Sequence, residues 1–304
     1  MRPIKLLNIK TDYVFKRIFG REGNEQITKN FLSCILGEKV LDIELEKNPI
    51  LEKDLMDDKV GILDIKAEIN KNTNVDIEMQ IIDKKNSAKR ILFYCSKLFI
   101  KSLKSGKDYN SLKKTISILI ADYELDELKE VRKYITKWNI REEDCSKIIL
   151  TDAMEIYIIE IEKFKKYQGT KRYKELDSWI KFIENPEVID MSNKEIVMAK
   201  KVLDEISQDE HERYLAEMRE KYILDQNATE AAGYDKGLKE GIKQGIEEGH
   251  KQGIEEGIKE GHKKGVKEGK KEIAKKMLEE KLNIELIEKV TNISKEDLKK
   301  MQEK

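Results

Sequence analysis

The sequence is poor in histidine, cysteine, proline and long apolar runs. Its 304 residues include three His, three Cys and three Pro. The cysteines, Cys34, Cys95 and Cys145, are far apart and odd in number, which argues against a disulfide framework and against a zinc site built on paired cysteines. A reducing, cytoplasmic location fits this cysteine content best. No stretch approaches the ~20 apolar residues of a membrane span and no apolar signal segment follows the N-terminus, so we expect no membrane association.

The three histidines all lie in the last third of the chain, at His211, His250 and His262. An enzyme within the first part of the chain would therefore work without histidine. This excludes Ser-His-Asp and Cys-His mechanisms there and favours chemistry based on carboxylates and a metal ion. The balance of 60 basic and 60 acidic residues argues against a surface that binds polyanions everywhere, but it leaves room for a local basic patch.

The chain divides into segments of unlike composition. Residues 1–190 mix helical periodicity with β-branched apolar runs, which predicts an α/β domain with strands at 115–121 and 155–161 and a long helix at 87–103. The segments that follow are predicted as a helical connector at 191–232, a glycine-repeat helix at 233–270 and a small helical cap at 271–304.

Two consecutive segments, 61–70 and 74–82, alternate between apolar and polar residues with a period of two. The alternation predicts two strands whose apolar faces point into the core and whose polar faces point away from it. When the turn between them is centred on Lys71, Asp64 pairs with Glu78 across the hairpin. Their carboxylates would then lie directly opposite each other on the polar face.

Two directly opposed carboxylates repel each other unless a cation lies between them. Mg²⁺ prefers carboxylate and phosphate oxygens as ligands, and it lowers the pKa of a bound water. Gln80 lies on the same face as Glu78 and can orient such a water. The alternative is that these polar residues, together with the opposite-charge pair Lys66 and Asp76, are the solvated face of an amphipathic hairpin. The alternation by itself favours this simpler alternative.

Asp64, followed across a hairpin by Glu78-Met79-Gln80, resembles the Asp…(Asp/Glu)-x-(Lys/Gln) signature of the PD-(D/E)XK nuclease superfamily. More narrowly, the chain resembles the recombination-promoting nuclease, or putative transposase, family of that superfamily. The resemblance covers roughly residues 1–190 and continues into the helical tail. The matching segments, in chain order, are a first helix at 12–20, two strands at 63–68 and 75–80, a helix and turn at 90–97 and 106–109, and a late strand at 159–165.

This resemblance implies a metal-dependent DNA endonuclease that uses Mg²⁺ or Mn²⁺. It implies an α/β fold of the restriction-endonuclease type, with a central mixed sheet flanked by helices and followed by a long helical C-terminal region. It also implies Asp64 and Glu78 as metal ligands, with the main-chain carbonyl of Met79 as a third ligand. The last position of the signature is usually Lys, and here it is Gln80. Because an amide cannot take up a proton at neutral pH, we expect Gln80 to orient the attacking water.

The neutral overall charge hides a local excess of basic residues. Between 83 and 114, ten basic residues accompany two acidic ones, and clustered cations are what phosphate contacts require. On the predicted helix, Arg90, Lys97 and Lys101 lie near one face. With Lys16 of the first helix they are the candidate DNA-binding residues. The alternative is an ordinary solvated, lysine-rich face. The second-tier candidates for the site are Asp12 and Tyr94.

Glycine recurs at every fourth position between 233 and 269, and an apolar residue usually follows it. Each helix-interior glycine costs ~0.8–1 kcal/mol relative to Ala, so we expect close packing to compensate. Small residues at this spacing let two helices approach, and a period longer than 3.6 makes the partner wind right-handed. We expect a homodimer; the alternative is a low-complexity linker. The candidate self-association residues are Gly237, Gly241, Gly245, Gly249, Gly253, Gly257, Gly261 and Gly265.

Three short helices are predicted after the repeat. Asn283 and Asn292 mark the turns between them, and Ser294 with Asp297 fits a capping box with Asp in place of Glu. The arrangement resembles a helix-turn-helix, but a small helical cap is the favoured interpretation.

The sequence as a whole predicts a metal-dependent DNA endonuclease that promotes recombination or DNA mobility. Two alternatives remain open. The first is a non-catalytic interaction protein that retains a degraded nuclease fold. The second is a defence-type nuclease with the same chemistry and a different biological role.

Overall fold

The computed structural model describes residues 5–47, 65–83, 85–103, 105–169 and 171–302. Contacts divide the chain into two compact units, Met1–Asp225 and Gln226–Lys304. The first unit contains a mixed sheet, and helices cover both of its faces. The strands are β1 (Ile43–Leu45), β2 (Ile65–Ile69), β3 (Thr73–Gln80), β4 (Lys114–Ala121), β5 (Ile135–Arg141) and β6 (Ile149–Glu160).

The α-helices are α1 (Asp12–Phe19), α2 (Glu25–Leu36), α3 (Ser87–Lys101), α4 (Ile161–Tyr167), α5 (Lys174–Glu184), α6 (Lys194–Gln208), α7 (Glu210–Glu279), α8 (Ile284–Thr291) and α9 (Lys295–Gln302). Short 3₁₀ turns lie at Tyr109–Ser111, Asp126–Leu128 and Lys171–Tyr173. The α/β fold class expected from the sequence is confirmed: a six-stranded mixed sheet in the order β1-β2-β3-β4-β6-β5 lies between helices, and a long C-terminal helix follows.

The β2–β3 hairpin has the register expected from the sequence. Lys66 pairs with Asp76 and Ile65 pairs with Ile77. Asn70 and Lys71 adopt the left-handed conformation, with φ of 51° and 61°, as a tight hairpin turn requires. Asp64 would be the next residue in this register, but it lies outside the described residues.

β3 and β4 pair in parallel, from Thr73↔Lys114 to Gln80↔Ala121. From Thr115 to Ala121 every residue of β4 is buried. Because side chains alternate along a strand, Ile118 and Ile120 join the main core while Leu119 and Ala121 join a second core on the opposite face. A continuous apolar run is typical of such a central parallel strand.

Two of the six strands were not expected from the sequence. β1 pairs with β2 at one edge of the sheet, and β5 pairs with β6 at the other. β6 also begins at Ile149, six residues earlier than the apolar run suggested. β5 and the first part of β6 are largely exposed and carry polar residues among the apolar ones, so a buried-strand pattern does not identify them.

The main core lies on one face of the sheet and includes residues of every helix from α1 to α7 except α3. At its centre, the rings of Phe19, Phe31 and Trp179 pack with centroid separations of 4.8 to 5.5 Å. The segment expected as a helical connector, 191–232, contains α6 and the start of α7, with Asp209 between them. α6 contributes Ile196, Ala199, Leu203 and Ile206 to this core.

The first turns of α7 bind α1 through charged side chains. Glu212 accepts hydrogen bonds from the Tyr13 hydroxyl and from the Arg17 Nε, both at 2.8 Å. Arg219 donates from its Nε to both carboxylate oxygens of Asp12, at 2.9 and 3.1 Å. Both pairs lie within the first unit, so the start of the long helix fixes the position of α1.

α3 packs on the other face of the sheet, against β3, β4 and β6. Ile91 of α3, Leu119 of β4 and Ile158 of β6 belong to the second, smaller core there. This face also carries the polar side chains of β3, because Asp76 and Glu78 stand in register with Ser117 and Leu119.

The second unit contains the glycine repeat, which is helical as expected. At its end, Ala274 of α7, Ile287 of α8 and Leu298 of α9 form a small core. Asn283 caps α8 by accepting from the Glu285 N–H at 2.9 Å. Asn292 ends α8 in the left-handed conformation, and the Ser294 hydroxyl accepts from the Asp297 N–H at 3.2 Å and donates to the Asp297 carboxylate at 2.9 Å. Within the described ranges, no helix is long and apolar enough to cross a membrane.

An ion pair is buried where β6 meets α4. Glu160 and Lys163 are 0% and 1% exposed, with 2.9 Å between Oε2 and Nζ. Glu160 also accepts from the Leu125 N–H at 2.8 Å, and Lys163 donates to the Leu128 carbonyl. The pair therefore fixes the loop that follows β4. Glu160 and Lys163 lie in the segment 159–165, one of the segments that resemble the nuclease family. In this structure their charged side chains stabilise the fold.

We expect Lys163→Met to lower the free energy of unfolding by ~3 kcal/mol, because it leaves the Glu160 carboxylate buried without its cation. Burial already raises the pKa of Glu160, and Lys163 lowers it, so the substitution raises this pKa further. A raised carboxyl pKa removes stability as the pH rises. The loss should therefore be larger at about pH 8 than at about pH 5.

Chemical denaturation followed by tryptophan fluorescence measures this loss. The matched control is Lys165→Met, which removes an exposed lysine that pairs with Glu162 and Glu184 and should cost less than ~1 kcal/mol. Equal, small losses in the two variants would contradict a structural role for the buried pair.

Candidate active site

The polar side chains of β3 lie on the face of the sheet that α3 covers. Asp76 is 5% exposed, and Glu78 and Gln80 are half-buried. They occupy alternate positions because side chains of a strand alternate between its two faces. The opposite-face residues, Val75, Ile77 and Met79, are buried in the main core. The burial of the apolar side chains therefore fixes the position of the strand, with the three polar side chains in a row on its other face.

Glu78 forms an ion pair with Arg90 of α3. The distance from the arginine Nη2 to the carboxylate Oε1 is 2.6 Å, and the two side chains are 22% and 13% exposed. The Arg90 guanidinium also lies over the Tyr94 ring, 5.5 Å from its centroid. Arg90, expected to contact DNA, is therefore the counter-ion of Glu78 here. Tyr94 supports Arg90 from the next turn of the helix.

Gln80 is held by two residues that sequence reasoning missed. The Tyr123 hydroxyl donates to the Gln80 Oε1 at 2.7 Å, and the Ser87 hydroxyl lies 2.8 Å from that of Tyr123. The main chain of Gln80 is hydrogen-bonded as well, since the Asp122 N–H donates to the Gln80 carbonyl at 2.9 Å. No local pattern marks Tyr123, because only the parallel pairing of β3 with β4 brings it beside Gln80.

Asp76 gives this face its unusual electrostatics. Burial raises the pKa of its carboxyl to about 7, the opposed Lys66 lowers it, and Glu78 raises it. Its Oδ1 has no hydrogen-bond partner among the described residues. A buried carboxylate with an unsatisfied oxygen, two residues from Glu78, makes the region electronegative, and oxygen donors of this kind fit a hard divalent cation.

The described part of the chain has no cluster of three or more His, Cys, Asp or Glu side chains placed to hold a metal ion. Of the two side-chain ligands expected from the sequence, Glu78 is described and lies on the polar face of β3, while Asp64 lies outside the described residues. The end of α1 comes close to this part of the hairpin. A Cβ added to Gly20 would lie 3.1 Å from the Ile65 Cγ1 and 3.0 Å from the Lys16 carbonyl oxygen.

Two candidates on α1 are placed differently from the expectation. Lys16 is 6% exposed, so burial argues against the phosphate contact expected of it. Asp12 is paired with Arg219, which gives it a role in holding α7 against α1.

The basic excess after β3 is partly neutralised in the fold. Lys113 pairs with Glu68 at 2.6 Å and Lys114 pairs with Glu155 at 3.1 Å. Lys97 and Lys101 are exposed on α3, as expected of DNA-binding residues. α3 buries Ile91 and Cys95 against the sheet, and Leu92 is exposed. Lys84 and Lys104 lie outside the described residues.

Two models of known protein families match the sequence of the chain. A profile described as PD-(D/E)XK nuclease family transposase matches residues 9–232. The chain belongs to this family. A second profile, described as the Rpn/YhgA-like nuclease family C-terminal HTH domain, matches residues 267–303. No curated protein and no solved structure matches the chain significantly.

Membership in the PD-(D/E)XK nuclease family transposases confirms the resemblance that the hairpin signature indicated. The C-terminal match supports the helix-turn-helix interpretation over a small helical cap. α8 and α9 would be its two helices, with the turn at Asn292 to Ser294. The second helix of such a motif lies in the DNA major groove, and α9 exposes Lys299 and Lys300.

Proposed function

We propose that this PD-(D/E)XK family protein is a metal-dependent DNA endonuclease that hydrolyses phosphodiester bonds and promotes recombination or DNA mobility. One observation carries the proposal. Glu78 and Gln80 lie on the polar face of β3, in a hairpin whose described register runs from Ile69↔Thr73 to Ile65↔Ile77 and, continued by one residue, would place position 64 opposite position 78. This is the arrangement that the family signature requires. The free thiols of Cys34, Cys95 and Cys145 support a cytoplasmic location.

The residues that would hold Mg²⁺ or Mn²⁺ are Asp64, Glu78 and, through its carbonyl, Met79. Such an ion, when bound, supplies an acidified water and neutralises charge that develops on the phosphate. Gln80 would orient the attacking water. Arg90 balances the charge of Glu78 from α3, and the family's DNA substrate would lie along the exposed Lys97 and Lys101. The helix-turn-helix would provide a second DNA contact.

The full-length protein is expected to nick supercoiled plasmid DNA with Mg²⁺ or Mn²⁺ and to stop when EDTA removes the metal. Asp64→Ala and Glu78→Ala should each reduce the rate by at least ~100-fold, the upper end of the effect of residues that merely support a metal site. Gel analysis of plasmid nicking measures the rate.

Glu68→Ala is the matched control for this experiment. Glu68 lies on the polar face of β2 and pairs with Lys113 at 2.6 Å, the same distance as Glu78 to Arg90. The Glu68→Ala variant should cleave plasmid DNA at close to the wild-type rate. Nicking that survives both Asp64→Ala and Glu78→Ala would refute the site. Failure to cleave with any divalent metal would favour the non-catalytic interaction protein.

Reversing the charge of Lys97 and Lys101 together is expected to weaken DNA binding similarly for all sequences. The slope of log affinity against log salt should fall by ~2, because each lost phosphate contact removes about 0.9. Fluorescence anisotropy over a salt series, with Ca²⁺ in place of Mg²⁺, measures the DNA affinity and its dependence on salt concentration. The control is Lys194→Glu with Lys201→Glu, two exposed lysines of α6. If the control variant weakened binding as much, the α3 surface would not be the DNA site.

We further propose that the glycine repeat forms a homodimer. Within the described chain, nothing lies within 4 Å of a Cβ added to any of its ten glycines. The apolar residues beside them are exposed as well, for example Ile246 at 66% and Ile258 at 67%. An uncovered stripe of glycine and isoleucine is what close helix pairing would bury.

Light scattering after size exclusion is expected to give twice the chain mass for the full protein and a single chain mass for residues 1–229. Gly249→Leu with Gly253→Leu should also give a monomer, because bulk prevents close approach while leucine favours the helix. The matched control, Lys251→Leu with Glu255→Leu, adds the same bulk ~200° around the helix and should remain dimeric. An unchanged mass on removal of 230–304 would refute the dimer.

A further inference from the structure

The amide of Gln80 has two chemically different ends. Its oxygen only accepts hydrogen bonds and its nitrogen only donates them. The usual lysine at this position of the signature has an ammonium group with three N–H donors and no acceptor. A glutamine can replace it as a donor only when its amide is held with the nitrogen toward the reacting groups.

The structure holds the amide in one orientation. A phenol has one proton, and Tyr123 gives it to the Gln80 Oε1 at 2.7 Å. The Tyr123 oxygen is then an acceptor for the Ser87 hydroxyl, 2.8 Å away. This relay occupies one of the two lone pairs of the Gln80 oxygen and fixes which end of the amide faces Tyr123, so the nitrogen, with its two N–H donors, is the end that remains to donate to other partners.

The relay is built from three separate segments of the first unit. Ser87 begins α3 and is 4% exposed, while Tyr123 follows β4 in the loop that the buried Glu160 and Lys163 fix. Burial, with Asp83 and Glu78 adding to it, raises the pKa of Tyr123 to about 12. The phenol therefore remains protonated, as a donor, over the whole range in which a nuclease would work.

We propose that Tyr123 is a positioning residue that fixes the Gln80 amide with its nitrogen toward the reacting water and phosphate. Gln80 then acts as a hydrogen-bond donor, in the manner of the usual lysine, and not as a base. This inference rests on the proposed nuclease function, since it assigns the role of one residue in that reaction. Ser87 supports Tyr123 by donating to it.

A double-mutant cycle tests the proposal in the full-length protein. Tyr123→Phe should slow single-turnover plasmid nicking by ~5–10-fold when residue 80 is Gln, the effect of one neutral hydrogen bond. In a Gln80→Lys background the same substitution should change the rate by less than ~2-fold, because an ammonium needs no orientation. Equal losses in both backgrounds would show that Tyr123 only supports the fold, and would overturn the proposal.

The matched control is Tyr134→Phe. It removes a buried tyrosine hydroxyl that donates to Asp177 at 2.6 Å. Tyr134 belongs to the main core, which lies on the face of the sheet opposite Gln80. Any loss of rate through general destabilisation should appear equally in its two backgrounds. Rescue of Tyr123→Phe alone by Gln80→Lys supports the proposal.

A second readout does not depend on cleavage. In ¹⁵N–¹H spectra of the metal-free protein, the Gln80 side-chain amide pair is identified by its absence in Gln80→Lys. Its chemical shifts should change in Tyr123→Phe and Ser87→Ala and stay unchanged in Tyr134→Phe. An unchanged pair in Tyr123→Phe would overturn the proposal. If no variant cleaved DNA, the nuclease function would fail, and these resonances would still decide whether Tyr123 orients Gln80.

Discussion

The parallel pairing of β3 with β4 is the constraint on which the rest of the site depends. Its main-chain ladder runs from Thr73↔Lys114 to Gln80↔Ala121, and β4 is buried on both faces. Because Val75, Ile77 and Met79 of β3 are buried in the main core, a slip of one residue in β3 would turn its polar side chains into that core. The ladder therefore fixes which side chains share the face of Glu78. It also brings the loop after β4 to the end of β3.

Charge on that face is balanced pair by pair. Glu78 is matched by Arg90 and Glu68 by Lys113. The exception is Asp76, whose carboxyl is buried with one oxygen unsatisfied among the described residues. A buried carboxyl group without a full set of hydrogen-bond partners is costly, and groups with raised pKa values are often found at functional sites. The neutral composition of the chain thus reflects local pairing more than a lack of charged surfaces.

In the glycine repeat, the main energetic term is the low helix propensity of glycine. Ten interior glycines weaken a helix by ~0.8–1 kcal/mol each, and the described chain places nothing against them. Salt bridges along the repeat, such as Lys243 to Glu247 at 3.9 Å, are exposed and contribute little. Close pairing with a second copy would offset this cost, which is the physical basis of the proposed homodimer.

The sequence by itself determined what depends on local order along the chain. Alternation and a turn at Asn70 and Lys71 were enough for the hairpin register, and several short motifs in the right order were enough for the family. The edge strands β1 and β5 could not be read from sequence, because they are only partly buried. Tertiary structure alone decided that Arg90 faces Glu78 and that Tyr123 faces Gln80. These contacts join residues 12 and 43 positions apart, and periodicity carries no information about which side chains meet once separate strands and helices pack.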